Sequence, residues 1–400
     1  MASEAVSDIP VAPSNTDSKT AYMASRYVVP EPGSRLVRAF SELRSILRNE
    51  TMHQSGVQDS VMNKDDPLTA SIFWLDGKAH RSRRAAIIPF FTPKAIATRH
   101  LPIMQRAADS LVAALRARGK GRLDKISFAL AVAVTSEIVG LTNSRMRGMA
   151  WRIELFGRGP ALSARGGLWK PLSTVLTNFV VMLIYLLDVR PAIAARRRQR
   201  REDVISRLLD EGRSEKEILV ECLTFGLAGM TTSREFMVVA AWHLFDNEPL
   251  RQRYMNGDDA EKTAILMEIL RLEPVAGMIY RRATEPVTDA TPETLAAGTR
   301  LSLHIRAANL DEAAVGPEPE RIDPDRARQR RVNGAWMSFG DGVHFCPGWQ
   351  VALTQTRILL DRIFSVPGIK LVRPPDISWV PPMLQMYELR NGILGCPRVK

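Results

Sequence analysis

The chain has 400 residues, of which 45% are hydrophobic and 24% charged, and a formal net charge of +12. This composition predicts a soluble globular protein with a sizeable core. Its three cysteines, Cys222, Cys346 and Cys396, are a sparse and odd set, which argues against a disulfide framework and favours a reducing compartment. The polar first 22 residues lack the basic and apolar regions of a signal peptide, so we expect a cytoplasmic protein.

Helical periodicity dominates the chain, with apolar residues three or four positions apart. It predicts helices over 33–50, 101–117, 123–141, 172–188, 203–210, 216–245, 260–272 and 349–365. Short strand-like stretches are found at 71–76, 299–307 and 368–373. This mixture predicts a mainly α fold of the α+β class, with a flexible N-terminal segment at 1–25 and a single domain at 26–400.

Two stretches bear on partners. The longest apolar run, 175–189, is shorter than the roughly 20 residues that cross a bilayer, so we expect a buried helix and no membrane partner. The basic run 195–203 contains no aromatic residue, so we expect an exposed helix face or loop and no nucleic-acid partner. A basic face could also dock an acidic protein by electrostatic steering.

The stretch FGDGVHFCPG, residues 339–348, places Cys346 directly before a predicted helix. The free backbone N–H groups and the dipole of a helix N-terminus both favour a thiolate, the form of cysteine that binds a metal. The alternative is a buried structural cysteine. A zinc site is not supported, because no CxxC or paired histidine spacing accompanies this cysteine.

The surrounding residues favour a flat ligand. Gly340 and Gly342 permit a tight turn and a close approach to the backbone. His344 is placed to contact an anionic group at the ligand rim, and Phe339 to shield the sulfur from water. With Gly348, the stretch resembles the haem signature of the cytochrome P-450 superfamily, F-G-x-G-x-[H/R]-x-C-x-G, at every defined position.

The resemblance extends in motif order from about residue 30 onward. It implies a cytochrome P-450 fold, a helical bundle around haem with small β-sheets, and Cys346 as the ligand of haem b (iron protoporphyrin IX). The loop-rich segment 273–345 would be held by the family's Glu-Arg-Arg network, for which Glu268, Arg271 and Arg321 are the candidates. The alternative for EILR, residues 268–271, is an exposed ion pair.

Further basic residues resemble the family's ligands of the haem propionates. His80 and Arg84 lie four residues apart and share one helix face. Arg281 matches another propionate ligand, with Arg282 as the alternative. The resemblance thus implies a set of haem contacts: His80, Arg84, Arg281, His344, Phe339, Gly340 and Gly348.

The stretch LTFGLAGMTTSREF, residues 223–236, resembles the helix on the distal side of the haem, with the pattern A/G-G-x-D/E-T. Gly229 and Thr232 match the groove for O2, but Thr231 stands where the family has an acid. The catalytic candidates are therefore Gly229, Thr231 and Thr232, with the hydroxyls relaying protons through water. The alternative is that these hydroxyls bond to carbonyls within the helix.

The implied activity is that of a soluble bacterial-type monooxygenase, a monomer that oxidises a bulky, largely apolar small molecule, consistent with secondary metabolism. No flavin or nicotinamide fingerprint is present, so two electrons would come from a ferredoxin and a ferredoxin reductase. Radical coupling of aromatic, peptide-derived substrates and a non-enzymatic haem protein remain alternatives. The candidate pocket residues are Val61, Phe73, Phe225, Ala228, Val275, Met278, Met386 and Tyr387, and a core role for each is an alternative.

Overall fold

The structure, a computed structural model, describes residues 16–21, 29–56, 71–159, 167, 169–288, 293–332, 334, 336–380 and 385–398. Helices predominate. They are α1 Phe40–Arg48, α2 Gly77–Ile87, α3 Leu101–Arg118, α4 Leu123–Val139, α5 Met149–Gly157, α6 Trp169–Ile184, α7 Arg190–Arg198, α8 Val204–Asp210, α9 Glu215–Phe225, α10 Thr232–Asp246, α11 Glu248–Asn256, α12 Asp259–Leu272, α13 Ile305–Asn309, α14 Glu312–Val315, α15 Arg326–Arg330 and α16 Trp349–Phe364. Shorter helical turns cover Ile88–Phe91, Pro93–Ala95, Ile96–His100 and Gly342–His344.

The strands are short and form three small sheets. They are β1 Arg35–Val37, β2 Met52–Gln54, β3 Lys120–Arg122, β4 Met278–Ala283, β5 Arg300–His304, β6 Lys370–Arg373, β7 Asp376–Val380, β8 Met386–Arg390 and β9 Ile393–Gly395. One sheet has the order β1-β5-β4-β2, another β3-β9-β6, and β7 pairs with β8. The expectation of a mainly α fold with small β-sheets is confirmed.

Local sequence signals explain several helix ends. Ser214 and Glu217 form a reciprocal capping box at the start of α9. Gly119 and Gly140, with φ angles of 70° and 100°, end α3 and α4 in the left-handed conformation that glycine favours. The predicted strand over 71–76 is wrong. The amide of Ile72 donates to the Glu221 carboxylate, 3.1 Å away, and Trp74 N–H bonds back to Ser71, so this stretch turns instead of pairing.

The main core lies between the long helices. Helix α10 contacts both α4 and α16, and its apolar side chains, from Phe236 to Leu244, are almost all fully buried. A smaller core packs β1, β4 and β5 against α1. The loop before α16, which contains Cys346, contacts α1 of the smaller core, and its Phe339 packs against the main core.

Two sequence expectations fail at the surface. The apolar run 175–189 is not a buried helix, because only 28% of the most apolar 18-residue window in the continuous helix Pro171–Arg198 is buried. That helix is also long and apolar enough to cross a membrane, by length and composition. In the basic run 195–203, Arg196 is 2% exposed and pairs with Asp203 at 2.5 Å, so this one arginine belongs to the core.

The N-terminal boundary also differs from the expectation. Residues 16–21 do not form a flexible segment, because Ser18 and Thr20 are 3% and 1% exposed. Their hydroxyls bond to Arg306 and Glu273 in the interior. The packed domain therefore includes these six residues.

Candidate active site

The loop before α16 fixes Cys346. The Cys346 N–H donates to the Phe339 carbonyl over 2.9 Å, which closes a turn through Gly340 and Gly342, at φ angles of 72° and 66°. A Cβ on Gly342 would come within 2.1 Å of the Leu47 carbonyl oxygen, so glycine is required for this loop to pack against α1.

The Cys346 thiol lies at the N-terminus of a 16-residue helix. Burial raises the pKa of the thiol, while the N–H groups of Gly348 and Trp349 and the positive charge of Arg84 act in the opposite direction. These are the groups that stabilise a thiolate once a cation is present to select it. A Cβ on Gly348 would lie 4.0 Å from the sulfur, so glycine keeps the surface beside the thiol flat.

Four basic side chains gather on one side of this loop. Arg84 donates to the Phe345 carbonyl over 2.7 Å, which ties α2 to the cysteine loop. The rings of His80 and His344 are in contact, with centroids 4.0 Å apart and planes tilted by 36°. Arg281 is buried on β4, where it donates to Gln54 and to the Tyr280 carbonyl. The structure thus brings together all four residues that the sequence singled out as propionate contacts.

The electrostatics of this cluster are unbalanced. Burial, followed by the charges of His344 and Arg84, lowers the pKa of His80 to about 4. Burial lowers the pKa of Arg281 to about 10, with Asp76 acting against it. Asp76 accepts from His344 Nε2 at 3.1 Å. Burial also lowers the pKa of His344. One carboxylate therefore faces two charged arginines and two histidines that are neutral at pH 7, so the cluster has an excess of positive charge that favours an anionic ligand.

The choice of Arg281 over Arg282 has a simple basis in the sheet. Side chains on β4 alternate between its two faces, and Arg281 is buried where Arg282 is exposed. Only Arg281 reaches the interior cluster.

The distal helix departs from regular α geometry. Residues Gly226–Thr231 form a π-helix between α9 and α10, which widens the backbone at this point. Thr231 and Thr232 both donate their hydroxyl hydrogen to the carbonyl four residues earlier, of Leu227 at 2.5 Å and of Ala228. The sequence alternative of bonding within the helix is thus what the structure shows.

Gly229 has a different role from the expected one. A Cβ at this position would lie 3.2 Å from the Thr135 side chain on α4. Its missing side chain therefore permits close packing of the π-helix against α4, instead of opening a groove. Neighbouring Ala228 is exposed, so it is the residue of this segment that presents a free surface.

The ion network beside this loop corrects the sequence assignment. Glu268 pairs with Arg271 at 2.7 Å, and both are buried. The third side chain is Arg326, whose Nε lies 3.1 Å from Glu268. The side chain of Arg321 points to Asp17 near the surface, and only its carbonyl accepts from the network. After Arg321 the chain turns back toward Glu268, so the side chain of Arg326 reaches the buried carboxylate.

Comparison with known proteins agrees with this geometry. A family model described as Cytochrome P450 matches residues 262–376, which contain the Glu268 network and Cys346. Erythromycin C-12 hydroxylase of Saccharopolyspora erythraea is 25% identical over 334 residues, 81% of this chain and 80% of that protein. Steroid C26-monooxygenase of Mycobacterium tuberculosis is 27% identical over 344 residues, 84% and 87% of the two chains. The chain belongs to the cytochrome P450 superfamily.

Solved structures show the same fold. A myxobacterial cytochrome P450 in complex with myristic acid superposes with a TM-score of 0.75 over 93% of each chain, at 20% identity. This P450 is a monooxygenase of the family, and its cofactor is haem b. The residues of the structure fit that group: a thiol at a helix N-terminus, a flat glycine surface beside it, and an excess of positive charge from Arg84 and Arg281 near the carboxylate-binding side.

The candidate pocket residues separate into three groups. Val61 lies outside the described residues. Met278 and Tyr387 are fully buried, and Tyr387 donates its hydroxyl to the Glu273 carbonyl, so both belong to the core of this P450 and not to a pocket surface. The other five residues keep some exposed surface: Phe73, Phe225, Ala228, Val275 and Met386.

Sequence reasoning missed three contributors to this P450 site. Arg326 was available in the same arginine-containing stretch as Arg321, but no local pattern distinguishes the two. Asp76 comes directly before the helix that carries His80, at the N-cap position, where an acid is a helix-start signal. Gln54 gave no signal, because it reaches Arg281 only through the pairing of β2 with β4.

Proposed function

We propose that this P450 oxidises a bulky, largely apolar small molecule in secondary metabolism, as a cytoplasmic enzyme that receives electrons from a separate ferredoxin and its reductase. The observation that carries the proposal is the Cys346 thiol between Arg84 and the N–H groups of Gly348 and Trp349. A haem bound through a cysteine thiolate activates O2 for oxidation of unreactive C–H bonds.

The residues of this chain divide the work of holding that group. Cys346 would supply the proximal ligand, and the α16 N–H groups would hold its negative charge. His80, Arg84, Arg281 and His344 would bind the two propionates by charge-assisted hydrogen bonds. Phe339 packs beside Trp349, with ring centroids 6.4 Å apart, and would shield the sulfur side from water.

Proton supply on the distal side would differ from the family pattern. Thr231 and Thr232 donate to carbonyls of their own helix, so each hydroxyl oxygen keeps lone pairs that can accept from a water. We assign to Thr232 the holding of such a water, with Thr231 in support. The π-helix Gly226–Thr231 sets the direction in which those oxygens point.

The substrate class rests on the side chains around the distal helix. Phe225 stacks against Phe91, with centroids 6.0 Å apart and planes at 12°, and Phe73 meets Trp74 edge-on. The bridge between Ala276 and Met386 brings the C-terminal hairpin beside this region. The named relatives act on a macrolide and on a steroid, and the neighbouring structure holds a fatty acid. These apolar and aromatic side chains support an apolar substrate of that kind.

One observation favours a second function. Thr231 replaces the family acid, and radical coupling of aromatic, peptide-derived substrates needs no oxygen insertion into the product. In that case the site would remove hydrogen from two positions and join them.

The test uses the haem-loaded chain with a ferredoxin, its reductase and reduced nicotinamide. Macrolides, steroids, fatty acids and aromatic cyclic peptides are first screened for a shift of the haem absorbance band. Binders are then turned over and products weighed: a gain of about 16 mass units marks monooxygenation and a loss of about 2 marks coupling. Oxygenated product from an apolar binder supports the proposal. Binding and turnover restricted to small polar compounds would contradict it.

A further inference from the structure

Helix α6 and the π-helix Tyr185–Val189 that continues it carry an apolar stripe on their solvent side. The stripe consists of large side chains three or four residues apart along about 26 Å of helix: Trp169, Leu172, Val175, Phe179, Met182 and Leu186. Val175 is 67% exposed and Leu172 56%. The opposite side of the helix is buried although it contains Ser173. Isolated exposed apolar residues are ordinary, but a continuous stripe of this length is not.

The surroundings of the stripe are strongly basic. Residues 143–201 contain twelve Lys and Arg residues and two Asp and Glu residues, a net charge of +10 within a chain whose total is +12. The two acids are already paired: Asp188 with Arg152 at 2.7 Å, and Glu154 with Lys125 at 3.1 Å. Of these basic residues, Arg152 and Arg196 are buried in ion pairs, and Arg197 and Arg200 pair with Glu215 and Asp210. The arginines left exposed on the segments that flank the stripe include Arg145, Arg147, Arg190 and Arg198.

The helix lies on the domain and does not leave it. The Arg152–Asp188 pair is buried, and the Tyr185 hydroxyl donates to Glu215 at 2.5 Å. These contacts hold the π-helix Tyr185–Val189 in place, and α6 itself packs against α5. A helix that is held on one side, is apolar on the other and is flanked in sequence by exposed arginines has the character of an interfacial membrane helix.

A second copy of the chain or a protein partner fits the α6 stripe less well than a lipid bilayer does. A symmetric dimer through this face would bring two segments of net charge +10 together, since the same surface meets itself in a twofold interface. A protein partner needs no surface more apolar than average. The continuous helix Pro171–Arg198 instead has a window with a mean hydropathy of 1.9, in the range of membrane segments.

We propose that the α6 stripe, with the basic residues of 143–201 around it, seats the protein on an anionic lipid bilayer. The apolar side chains would enter the boundary between headgroups and acyl chains, and the arginines would contact lipid phosphates. This departs from the sequence expectation of no membrane partner. It does not depend on the substrate proposed above.

The experiment measures binding of the haem-loaded full chain to vesicles by flotation. Vesicles of phosphatidylcholine alone are compared with vesicles that also contain phosphatidylglycerol. The stripe variant is Leu172→Gln/Phe179→Gln/Met182→Gln. The matched control, Met255→Gln/Val332→Gln/Val372→Gln, removes exposed apolar side chains elsewhere. A charge variant is Arg145→Gln/Arg147→Gln/Arg198→Gln.

We expect the wild-type chain and the control to float with anionic vesicles. The stripe variant should lose at least about tenfold in partition coefficient, and the charge variant should approach the weak binding seen with neutral vesicles. Haem content and circular dichroism should be unchanged, because the altered side chains are exposed. Absence of wild-type binding, or equal losses in stripe and control variants, would overturn the proposal. A concentration-dependent dimer that only the stripe variant loses, with no vesicle binding, would assign the face to a second copy.

Discussion

At the scale of single residues, the three cysteines have different environments. Cys222 is fully buried, and burial raises the pKa of its thiol strongly. Cys396 is half-buried directly after strand β9, with its sulfur 4.0 Å from the Leu115 carbonyl oxygen. Only Cys346 combines accessibility with helix N–H groups and a nearby arginine, which are the conditions for a metal-binding thiolate.

The Cys346→Ser variant should therefore lose the absorbance band that the reduced, carbon-monoxide-treated protein shows at the long-wavelength position of thiolate haem. A serine hydroxyl is a poor ligand beside the same N–H groups, because it does not ionise near neutral pH. Cys396→Ser is the matched control and should keep the band. Full intensity in Cys346→Ser would refute the ligand assignment.

The roles of the Thr231 and Thr232 hydroxyls can be distinguished by substituting each residue separately. Thr232→Ala removes the oxygen that we assign to holding a water, so less product should form per reduced nicotinamide consumed, with a matching rise in peroxide. Thr231→Ala should do less, because its side chain lies about 100° further round the helix. Thr232→Ser keeps the hydroxyl and should restore the ratio.

The product-to-nicotinamide ratio and the peroxide yield decide between the two threonines. A loss in Thr231→Ala with none in Thr232→Ala would exchange their roles. If neither variant changes the ratio, protons reach the site by another route, and coupling without oxygen insertion becomes the better function.

At the scale of elements, Glu268 connects helix α12 to the loop that follows α14. Its carboxylate accepts from Arg271, from Arg326 and from the Asp323 N–H at 3.1 Å. Arg326 also donates to the carbonyls of Val315 and Pro317, so one side chain closes several turns of the loop. A fully satisfied buried network of this kind specifies one loop conformation.

Arg326→Ala should cost about 3–5 kcal/mol of unfolding free energy, because it leaves Glu268 and several carbonyls short of donors in the interior. Arg321→Ala should cost less than about 1 kcal/mol, since its side chain makes an exposed pair with Asp17. Denaturant unfolding of both variants, with haem content measured in parallel, compares them. Equal losses of unfolding free energy would show that the two arginines contribute equally to stability.

What the sequence could predict at this scale follows from distance along the chain. The cysteine loop is contiguous, so ten residues were enough to place Cys346, its glycines and His344. The EILR pair is also local. The choice between Arg321 and Arg326 depends on how a long loop folds back, and Gln54 depends on strand pairing with β4. No periodicity in the sequence encodes either contact.

At the scale of the whole molecule, helix α6 shows a similar limit. The sequence marks it as apolar, but burial depends on what packs against each side, and the larger apolar side chains face outward. The concentration of net charge in residues 143–201 was countable from the sequence. The sequence alone did not show that this charge lies in the same segment as an exposed apolar stripe, because exposure is a property of the folded chain.

Residues 16–21 bind to the core through the buried carboxylate of Glu273. Glu273, at the end of α12, accepts from Lys19 N–H at 2.5 Å and from the Thr20 hydroxyl, and from His243 at 3.0 Å. Burial alone would raise the pKa of Glu273, but the bond to His243 and the charges of His243 and Arg306 outweigh it and lower the pKa to about 2. A depressed carboxyl pKa stabilises the fold above the ordinary value near 4.5, and that stability is lost as pH falls toward 2.

Deleting residues 1–21 should therefore reduce the unfolding free energy by at least about 3 kcal/mol at pH 7, because two hydrogen bonds to a buried carboxylate and one from Arg306 to Ser18 disappear. Acid unfolding should begin at a higher pH in this variant, since a Glu273 with fewer donors has a less depressed pKa. Deleting residues 1–15 alone leaves every one of these bonds and is the control. Thr20→Val, which keeps the shape and removes one hydroxyl, should fall between the two. Denaturant unfolding at pH 7 and pH 4 measures all four proteins, and identical curves for the two deletions would mean that residues 16–21 add nothing to the stability of the domain.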